Sequence, residues 1–334
     1  MWYVAAFLTQ NTHLPHINLV FICIYQKKAV LLSVKIFNPL KTYHISNNSR
    51  YVWHNNEIHS LEIYMSITTI SAIMFRFLGY CRHYLCGYHS CGEGIHSPYL
   101  FYLVRMVSRD ENAYYVWHVI EQQRSRLLGD RRTICVSDYG TGRDRTPQRL
   151  VCDIVRRCLE RPKMGQLFFR WLVFLSHNSH RPLQVVELGT SFGITTSYLS
   201  SAHSDNQITT FEGCRDTGQI AHEVWHSLGL SNIRLVQGNI DDTLLPNLPL
   251  TVDFAFVDAN HTESATLRYV KALLPRIEAK SIVVIDDIHY SAEMEHAWQI
   301  LKALPQVTTT MDFYHAGALF FDPHYLKKHY RMRP

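Results

Sequence analysis

The chain has 334 residues, of which 47% are hydrophobic and 18% charged, a balance that allows a sizeable core and excludes wholesale disorder. Its formal net charge of +5 lacks the strong basic excess of a dedicated nucleic-acid-binding domain, so we do not expect nucleic acid as a partner. Eight cysteines in a chain of this length are typical of a reduced cytoplasmic protein and not of a disulfide scaffold.

The first 64 residues show no sustained period of 3.6 or 2 and contain no recognisable chemistry, which predicts an irregular extension. An alternative is a translation start placed too early, with Met65 or Met74 as the true initiator. The apolar stretch from Ile17 to Phe37 is interrupted by Gln26-Lys27-Lys28, too early for a membrane span of about 20 residues. No basic segment or cleavage site follows Met1, so we expect neither a membrane span nor secretion.

Residues 65–180 are predicted to form a helical lid or substrate-binding region, because helical patterns run over Tyr114–Leu128, Pro147–Cys158 and Lys163–Leu175. The stretch Arg124–Lys163 holds eleven basic and five acidic residues. A solvated helix face is one interpretation of this excess, and an anionic substrate or RNA is the other.

Five Cys and His residues between Cys81 and Cys91 resemble a zinc motif. They crowd into 11 residues, whereas structural zinc favours two ligand pairs separated by a folded stretch, so we do not expect zinc there.

After Pro182, strand and helix patterns alternate, which predicts a parallel, doubly wound sheet. The predicted strands are 183–188, 207–212, 232–237, 252–258 and 281–286. Two further strands, 307–313 and 318–321, are separated by only four residues, a link that suits an antiparallel hairpin and cannot hold a crossover helix. The sequence therefore predicts an α/β, Rossmann-like sheet of seven mostly parallel strands over residues 181–334.

The turn Gly189-Thr-Ser-Phe-Gly193 follows a strand that ends in an acid, Glu187, and precedes an apolar-faced helix. A strand, a glycine turn and a helix N-terminus form a binding site for a nucleotide-like cofactor. The turn matches neither G-x-G-x-x-G nor the P-loop. A ribose-binding acid is expected at the tip of the next strand, about 20 residues on, and Glu212 stands there.

A second acidic glycine loop, Asp138-Tyr-Gly-Thr-Gly142, fails the same test. The position about 20 residues further on falls near 157–161, inside or just after a predicted helix. Residues Tyr139–Arg145, which are rich in glycine and arginine, are instead predicted to close over the cleft and meet an anionic acceptor.

The next strands bring carboxylates to the edge where open α/β sheets bind ligands. Asp258 ends one strand, and Asp286 and Asp287 end its neighbour, so the three predict an oxygen-rich site for Mg²⁺ or another hard divalent cation. Alternatively, Asp258 orients the cofactor and Asp287 caps the following helix. His261 stands three residues after Asp258 and is either a base for a substrate hydroxyl or a surface histidine.

The segment from Glu187 to Gly193 resembles the first motif of class I S-adenosylmethionine-dependent methyltransferases, particularly their catechol O-methyltransferase-like branch. The resemblance implies that Gly189, Ser191 and Gly193 hold the methionine end of the cofactor while Glu187 supports the turn. It implies that Glu212 binds the ribose, and that Asn239 or Asp241 meets the adenine amine, although either of these two could instead cap a helix.

The metal-dependent catechol group shows the same spacing between its acids, 286 − 258 = 28, but has Asp-Asn where this chain has Asp286-Asp287, and a lysine base where it has His261. The segment Gly92–Pro98 is similar to one that precedes the catalytic domain in a group of bacterial methyltransferases, mainly of Bacteroidetes type. That group also has counterparts to Asp138–Arg143, Asp286–Ser291 and Met294–Trp298, so the resemblance covers about 75–334.

The resemblance implies a cytoplasmic enzyme that transfers a methyl group from S-adenosylmethionine to an oxygen of a small-molecule acceptor. Two other functions suit the fold. A nicotinamide-dependent oxidoreductase is disfavoured by the missing G-x-G-x-x-G and by the terminal hairpin. A non-catalytic cofactor-binding or scaffold module is disfavoured by the intact acids Glu187, Glu212, Asp258 and Asp286.

Overall fold

The computed structural model describes residues 79–136 and 148–333 in full, and the backbone of four strands among the first 64 residues. The chain divides into two compact units, Met1–Leu78 and Gly79–Pro334. Within the described residues, no helix has both the length and the apolar character that crossing a membrane requires.

The first unit contains a four-stranded sheet in which β1, β2 and β3 are antiparallel and β4 pairs parallel to β3. Its strands are β1 (Tyr3–Gln10), β2 (His16–Tyr25), β3 (Lys28–Phe37) and β4 (Leu61–Tyr64). This corrects the irregular structure predicted for 1–64. The apolar runs of β2 and β3 have neither a period of 2 nor one of 3.6, so periodicity gave no signal for them.

The second unit is built on an eight-stranded sheet with the order β14-β12-β13-β11-β10-β7-β8-β9. Its strands are β7 (Gln184–Leu188), β8 (Gln207–Glu212), β9 (Ile233–Gln237), β10 (Val252–Val257), β11 (Ile277–Asp286), β12 (Thr309–Asp312), β13 (Ala316–Phe320) and β14 (Lys328–Arg331). A separate antiparallel pair is formed by β5 (Thr133–Cys135) and β6 (Gln148–Leu150).

The predicted fold class is confirmed. Strands β7 to β11 are parallel, and β13 runs antiparallel to both β11 and β12, as the short link at 314–317 predicted. One strand was missed: β14 pairs parallel with β12 and makes the sheet eight-stranded instead of seven-stranded. Its four residues, Lys-His-Tyr-Arg, have no apolar run to mark them as a strand.

Helices fill the connections of this unit. Residues 79–86 form a first helix, α1. The others are α2 (Pro98–Tyr102), which continues as a π-helical segment over Leu103–Ser108, α3 (Tyr115–Gly129), α4 (Val151–Cys158), α5 (Pro162–His177), α6 (Ile194–Ser201), α7 (Arg215–Leu228), α8 (Ile240–Asn247), α9 (Glu263–Leu273) and α10 (Ala292–Ala303). The helix predicted over 147–158 begins four residues late, because residues 148–150 pair with β5 as strand β6.

Alternation along the central strands explains why both faces of the sheet are covered. In β10, Phe254 and Phe256 point to one face, where the ring of Phe168 from α5 lies 5.7 and 4.9 Å from theirs. Ala255 and Val257 point to the other face and pack in a second core. Successive side chains of a strand point to opposite faces, so helices must cover both sides of a sheet whose strands are apolar throughout.

The strand order reverses between β7 and β10, since the chain proceeds from β7 to β8 and β9 on one side and then to β10 and β11 on the other. In open α/β sheets, ligands bind beyond the carboxyl ends of the strands at such a reversal.

Candidate active site

A cavity of about 630 Å³ opens at this reversal, beyond the carboxyl ends of the parallel strands. A cavity of this size is typical of small-molecule and cofactor sites. Every predicted site residue lines it except Glu187, Gly193 and Asp241. The sheet therefore brings together residues from five separate strand ends, those of β7, β8, β9, β10 and β11.

Two glycines of the turn after β7 lie against neighbouring groups that leave no room for a side chain. Gly189 has a φ of 97°, and a Cβ there would collide with the main-chain carbonyl oxygen of Asp258. Gly193 has a φ of 72°, and a Cβ there would collide with the indole of Trp225, whose Nε1 donates a hydrogen bond of 3.0 Å to the Gly193 carbonyl. Both positions need glycine because the left-handed backbone and the lack of space each exclude a side chain.

Glu187 lies beneath the turn and is fully buried. Its Oε2 accepts hydrogen bonds from the hydroxyls of Thr196 (2.5 Å) and Thr210 (2.6 Å), and its Oε1 has no partner among the described residues. Burial raises the pKa of Glu187 to about 7; the nearby charge of Glu212 adds to this rise, and the two threonines oppose it. The side chain braces the turn from below and does not reach the cavity.

Glu212 ends β8 and is anchored through both oxygens. The backbone N–H of Ser191 donates to Oε2 and that of Cys214 donates to Oε1, each at 2.8 Å. Burial raises the pKa of Glu212, and these N–H groups oppose the rise. Each carboxylate oxygen can accept a further hydrogen bond, so the anchored side chain can still bind a ligand in the cavity.

Asn239 and Asp241, the two candidates for the adenine amine, lie in different surroundings. Asn239 lines the cavity and is also the N-cap of α8, where its side chain accepts a hydrogen bond from the Asp241 N–H. Asp241 lies outside the lining and pairs with Arg268, whose Nη2 is 2.8 Å from both carboxylate oxygens.

Carboxylates crowd the other end of the cavity. Asp258, Asp286 and Asp287 lie there as predicted, and Glu160, from the loop between α4 and α5, joins them. Burial raises the pKa values of Asp258 and Asp286 well above the ordinary range, and the charges of their neighbours raise them further. Burial also raises the pKa of Glu160. Burial and mutual charge therefore favour a shared proton or a bound cation over full ionisation of these acids.

The alternative role proposed for Asp287 as a helix cap is wrong. Ser291 is the N-cap of α10, and its hydroxyl accepts a hydrogen bond from the Met294 N–H. The carbonyl oxygen of Asp287 instead accepts from the Tyr290 N–H in the turn before the helix.

His261 lies inside the cavity, with its Nε2 3.4 Å from Asp258 Oδ1. Burial lowers its pKa, and the charge of Asp287 opposes this. Five non-glycine residues have positive φ in the part of the chain that the structure describes, and four of them, Ser191, Asn260, His261 and Asp287, line this cavity. Strained backbone of this kind clusters at functional sites.

Sequence reasoning did not single out Glu160 as a site residue, and it named Arg161 only as part of the basic stretch Arg124–Lys163. Glu160 has its Oε1 2.7 Å from the Arg161 N–H, and the Arg161 guanidinium lies 3.0 Å from His315 Nε2 across the cavity mouth. The available signal was Pro162, because proline at the first position of α5 marks the residues before it as a loop. The glycine loop at 138–142 and the proposed lid at 139–145 lie outside the described residues.

The histidines of the zinc-like motif turn toward the C-terminal segment. His83 Nε2 is 2.8 Å from the Met332 carbonyl oxygen, and His89 Nδ1 accepts from the Arg331 N–H at 3.1 Å. Cys86 and Cys91 are exposed.

Comparison with known proteins agrees with this geometry. Residues 186–288 match a family model described as a methyltransferase domain. The match confirms the prediction that the chain contains a methyltransferase domain in this region. No curated protein matches the chain.

Solved structures that resemble the chain include three methyltransferases. A Podospora anserina methyltransferase bound to S-adenosylhomocysteine is 15% identical, with 64% of this chain and 90% of that chain covered and a TM-score of 0.46. The Streptomyces achromogenes O-methyltransferase of tomaymycin synthesis, in complex with S-adenosylmethionine, is 16% identical (63% and 90% covered, TM-score 0.45). An O-methyltransferase of Bacillus cereus in complex with S-adenosylhomocysteine is 14% identical (63% and 92% covered, TM-score 0.46).

Proposed function

We propose that the protein is an S-adenosylmethionine-dependent O-methyltransferase of the catechol O-methyltransferase-like branch, similar to the Bacteroidetes-type group, and that it acts on a small-molecule acceptor. The observation that carries this proposal is the hydrogen bond from the Ser191 N–H to Glu212 Oε2, 2.8 Å long. It joins the glycine turn after β7 to the acid that ends β8, within one cavity at the strand reversal. A glycine turn and a diol-binding acid in this arrangement suit a nucleoside cofactor.

The residues around the cavity can hold every part of S-adenosylmethionine. The turn from Gly189 to Gly193 holds the methionine end, and Glu187 keeps that turn in place. Glu212 accepts hydrogen bonds from the ribose hydroxyls, since each of its oxygens has capacity beyond its backbone donor. Asn239 meets the adenine amine from the cavity wall, with Asp241 as the second candidate.

Bound S-adenosylmethionine supplies a methyl group on a sulfonium, and its transfer depends mainly on the positioning of the acceptor. We assign the acceptor's proton to His261. Its Nε2 lies 3.4 Å from Asp258 Oδ1, so Asp258 positions the ring while Nδ1 takes the proton. Because burial favours the neutral form of Asp258, this role requires the ionised form, which the positive imidazolium favours in turn. Asp258 thus acts as the second catalytic residue.

A divalent cation is the second way to activate the acceptor oxygen. Asp258, Asp286 and Asp287 supply the hard oxygen ligands that Mg²⁺ prefers, and Glu160 adds a fourth carboxylate beside them. Magnesium titration of the unaltered protein and of Asp286→Asn by calorimetry tests this. Loss of Mg²⁺ binding in the variant supports the metal site, and methyl transfer at full rate in excess chelator contradicts it.

The acceptor is proposed to be anionic. Three arginines of the basic stretch predicted from the sequence, Arg149, Arg157 and Arg161, line the cavity. Guanidinium groups suit carboxylate and phosphate ligands because their donors match both oxygens. Turnover of a phenol and of the corresponding carboxylated phenol tests this; equal kcat/KM for both contradicts the proposal.

Calorimetric titration of the full chain with S-adenosylmethionine, S-adenosylhomocysteine and NAD tests the cofactor. We expect micromolar binding of both sulfur ligands and at least about tenfold weaker binding by Glu212→Gln, because the variant loses a charge-assisted acceptor. Glu223→Gln, an exposed acid of α7 that pairs with Arg132, is the matched control. Binding of NAD alone would overturn the cofactor assignment. Cofactor binding without methyl transfer to any of a panel of hydroxylated acceptors would favour the alternative that the protein is a non-catalytic cofactor-binding module.

A further inference from the structure

A cluster of two histidines and an aspartate lies outside the proposed active site, with His83 and Asp312 buried and His289 partly buried. His83 comes from α1, His289 from the turn after β11, and Asp312 from the end of β12. We propose that these three side chains bind a divalent transition-metal ion of the zinc class.

The spacing of the three side chains suits one ion. His83 Nδ1 is 3.5 Å from Asp312 Oδ1, His289 Nε2 is 2.9 Å from Asp312 Oδ2, and one ligand atom from each residue lies within 4.8 Å of the other two. Zinc ligands stand about 2.0–2.2 Å from the ion in a tetrahedron, which places them about 3.3–3.6 Å from one another. Small side-chain rotations bring the three ligands to this separation.

The hydrogen bonds around the cluster also match those of metal-binding histidines, which usually donate their second N–H to a carbonyl or carboxylate. His83 Nε2 lies 2.8 Å from the carbonyl oxygen of Met332, which can only accept, so this nitrogen carries the hydrogen. Nδ1 of a neutral His83 is then a bare lone pair that faces the Asp312 carboxylate. His289 differs: its Nε2 is within hydrogen-bonding distance of Asp312 Oδ2, at 2.9 Å, and its Nδ1 lies 3.9 Å from Glu295 Oε1, which is too far for a hydrogen bond. A metal ion would replace the contact between His289 Nε2 and Asp312.

Two acceptors that face each other in a buried place repel unless a cation or a proton lies between them. His83 is 5% exposed and Asp312 is 9% exposed, so bulk water does not separate them. The ring of Tyr314 stacks on His289 with 5.2 Å between centroids and meets His83 edge-on at 5.5 Å, which closes the cluster on one side. A metal ion satisfies both lone pairs at once.

The donor atoms select the class of metal. Two imidazole nitrogens and one carboxylate suit zinc and its first-row neighbours, whereas Mg²⁺ and Ca²⁺ favour oxygen ligands alone. Three protein ligands leave a fourth position for water. The ion would fasten α1 to β12 and to the turn after Asp286 and Asp287, so it would stabilise the fold beside the cavity without entering it.

The test is a zinc titration of the full chain, stripped with a chelator and then titrated against a chromophoric competitor. We expect one tight equivalent and a higher melting temperature with zinc. His83→Gln and His289→Gln should each bind that equivalent at least about 100-fold more weakly. Two controls should retain it: His324→Gln, which alters an exposed His–Asp pair 2.8 Å apart, and Asp286→Asn, which alters only the active-site carboxylates.

Cobalt binding to the unaltered chain gives a second measurement that does not depend on the folding of a variant. Visible d–d bands of a nitrogen- and oxygen-ligated ion support the site, whereas thiolate charge-transfer bands would place the metal on cysteines such as Cys86 and Cys91. The proposal is overturned by those thiolate bands, by the lack of a tight equivalent, by its retention in both histidine variants, or by its loss in Asp286→Asn. A lack of binding would identify the cluster as a proton-sharing network.

Discussion

The two ends of the cavity bury their carboxylates in different ways. At the β7–β8 end, Glu212 in the cavity wall and Glu187 beneath that wall each accept hydrogen bonds from nearby hydroxyl or backbone donors. At the β10–β11 end, Asp258 and Asp286 lie beside further acids, and their mutual charges raise their pKa values beyond what burial alone does. The first end is organised before any ligand arrives, whereas the second is completed by the proton or cation it receives.

The largest effect is expected where the two ends touch. A Cβ at Gly189 would collide with the carbonyl oxygen of Asp258, and its φ of 97° disfavours any L side chain. Gly189→Ala should lower the free energy of unfolding by roughly 2–6 kcal/mol, the sum of backbone strain and overpacking. Urea denaturation followed by circular dichroism measures this loss.

Gly229→Ala is the matched control for Gly189→Ala. Its φ is 67°, but no atom lies within 4 Å of the position that its Cβ would take. It should therefore lose only the strain of the left-handed backbone, about 1–2 kcal/mol. Equal losses in the two variants would mean that the strand ends do not meet at Gly189.

The next largest effect is expected on the rate of methyl transfer and not on cofactor binding. His261→Ala should lower kcat by roughly 10²–10⁴-fold, about 3–5 kcal/mol, because a general base is lost at the β10–β11 end. The dissociation constant of S-adenosylhomocysteine should not change, since the β7–β8 end is untouched. Steady-state kinetics and calorimetry measure the two quantities. His296→Ala is the control, because His296 pairs with Glu263 on the exposed surface. An unchanged kcat in His261→Ala would mean that the carboxylates, and not His261, remove the proton of the acceptor.

The β7–β8 end should show a pH dependence of stability. The pKa of Glu187 in the folded protein, about 7, lies above the ordinary value of 4.5. Between these values the folded state keeps a proton that the unfolded state releases, so the free energy of unfolding falls as pH rises from about 4.5 to about 7 and then levels off. The difference corresponds to roughly 3 kcal/mol.

Glu187→Gln cannot ionise and should lack this part of the slope, which urea denaturation at a series of pH values would reveal. Glu223→Gln, exposed on α7, should keep the slope of the unaltered protein. A Glu187→Gln curve parallel to that of the unaltered protein would contradict the raised pKa.

The smallest effect is expected at Asn239 and Asp241, and it decides which of the two binds the adenine amine. Asn239→Ala removes both the cap of α8 and a cavity-lining amide, so it should cost about 1 kcal/mol of stability and a similar amount of cofactor affinity. Asp241→Asn weakens an exposed ion pair with Arg268, worth roughly 0–1 kcal/mol, and should leave the affinity unchanged. The reverse result in calorimetry would assign the adenine amine to Asp241.

Sequence reasoning located the residues whose signals are local. Apolar runs that end in an acid or a glycine predicted β7, β8 and β10 almost to the residue, and the spacing from Glu187 led to Glu212. The same reasoning led to Asp258 and Asp286. The parallel sheet then collected these strand ends at one edge, as such sheets do.

What sequence reasoning missed depends on contacts between distant segments. Glu160 reaches the acids from a loop that no pattern links to β11, and His83, His289 and Asp312 come from three separate elements. Strand β14 was missed because its short, basic sequence becomes a strand only when β12 offers an unpaired edge. Tertiary context decides such segments, and periodicity within one window cannot detect it.

The hydrogen bond between His83 and the Met332 carbonyl oxygen joins residues 249 positions apart in the chain. A ribosome that adds about 5–20 residues per second needs roughly 12–50 s to cover that distance. Throughout this interval helix α1 lacks its C-terminal partner. The face that is buried in the folded protein is exposed and can bind chaperones or other nascent chains. Assembly of this side of the molecule is therefore timed by translation, and a slower ribosome prolongs the exposure.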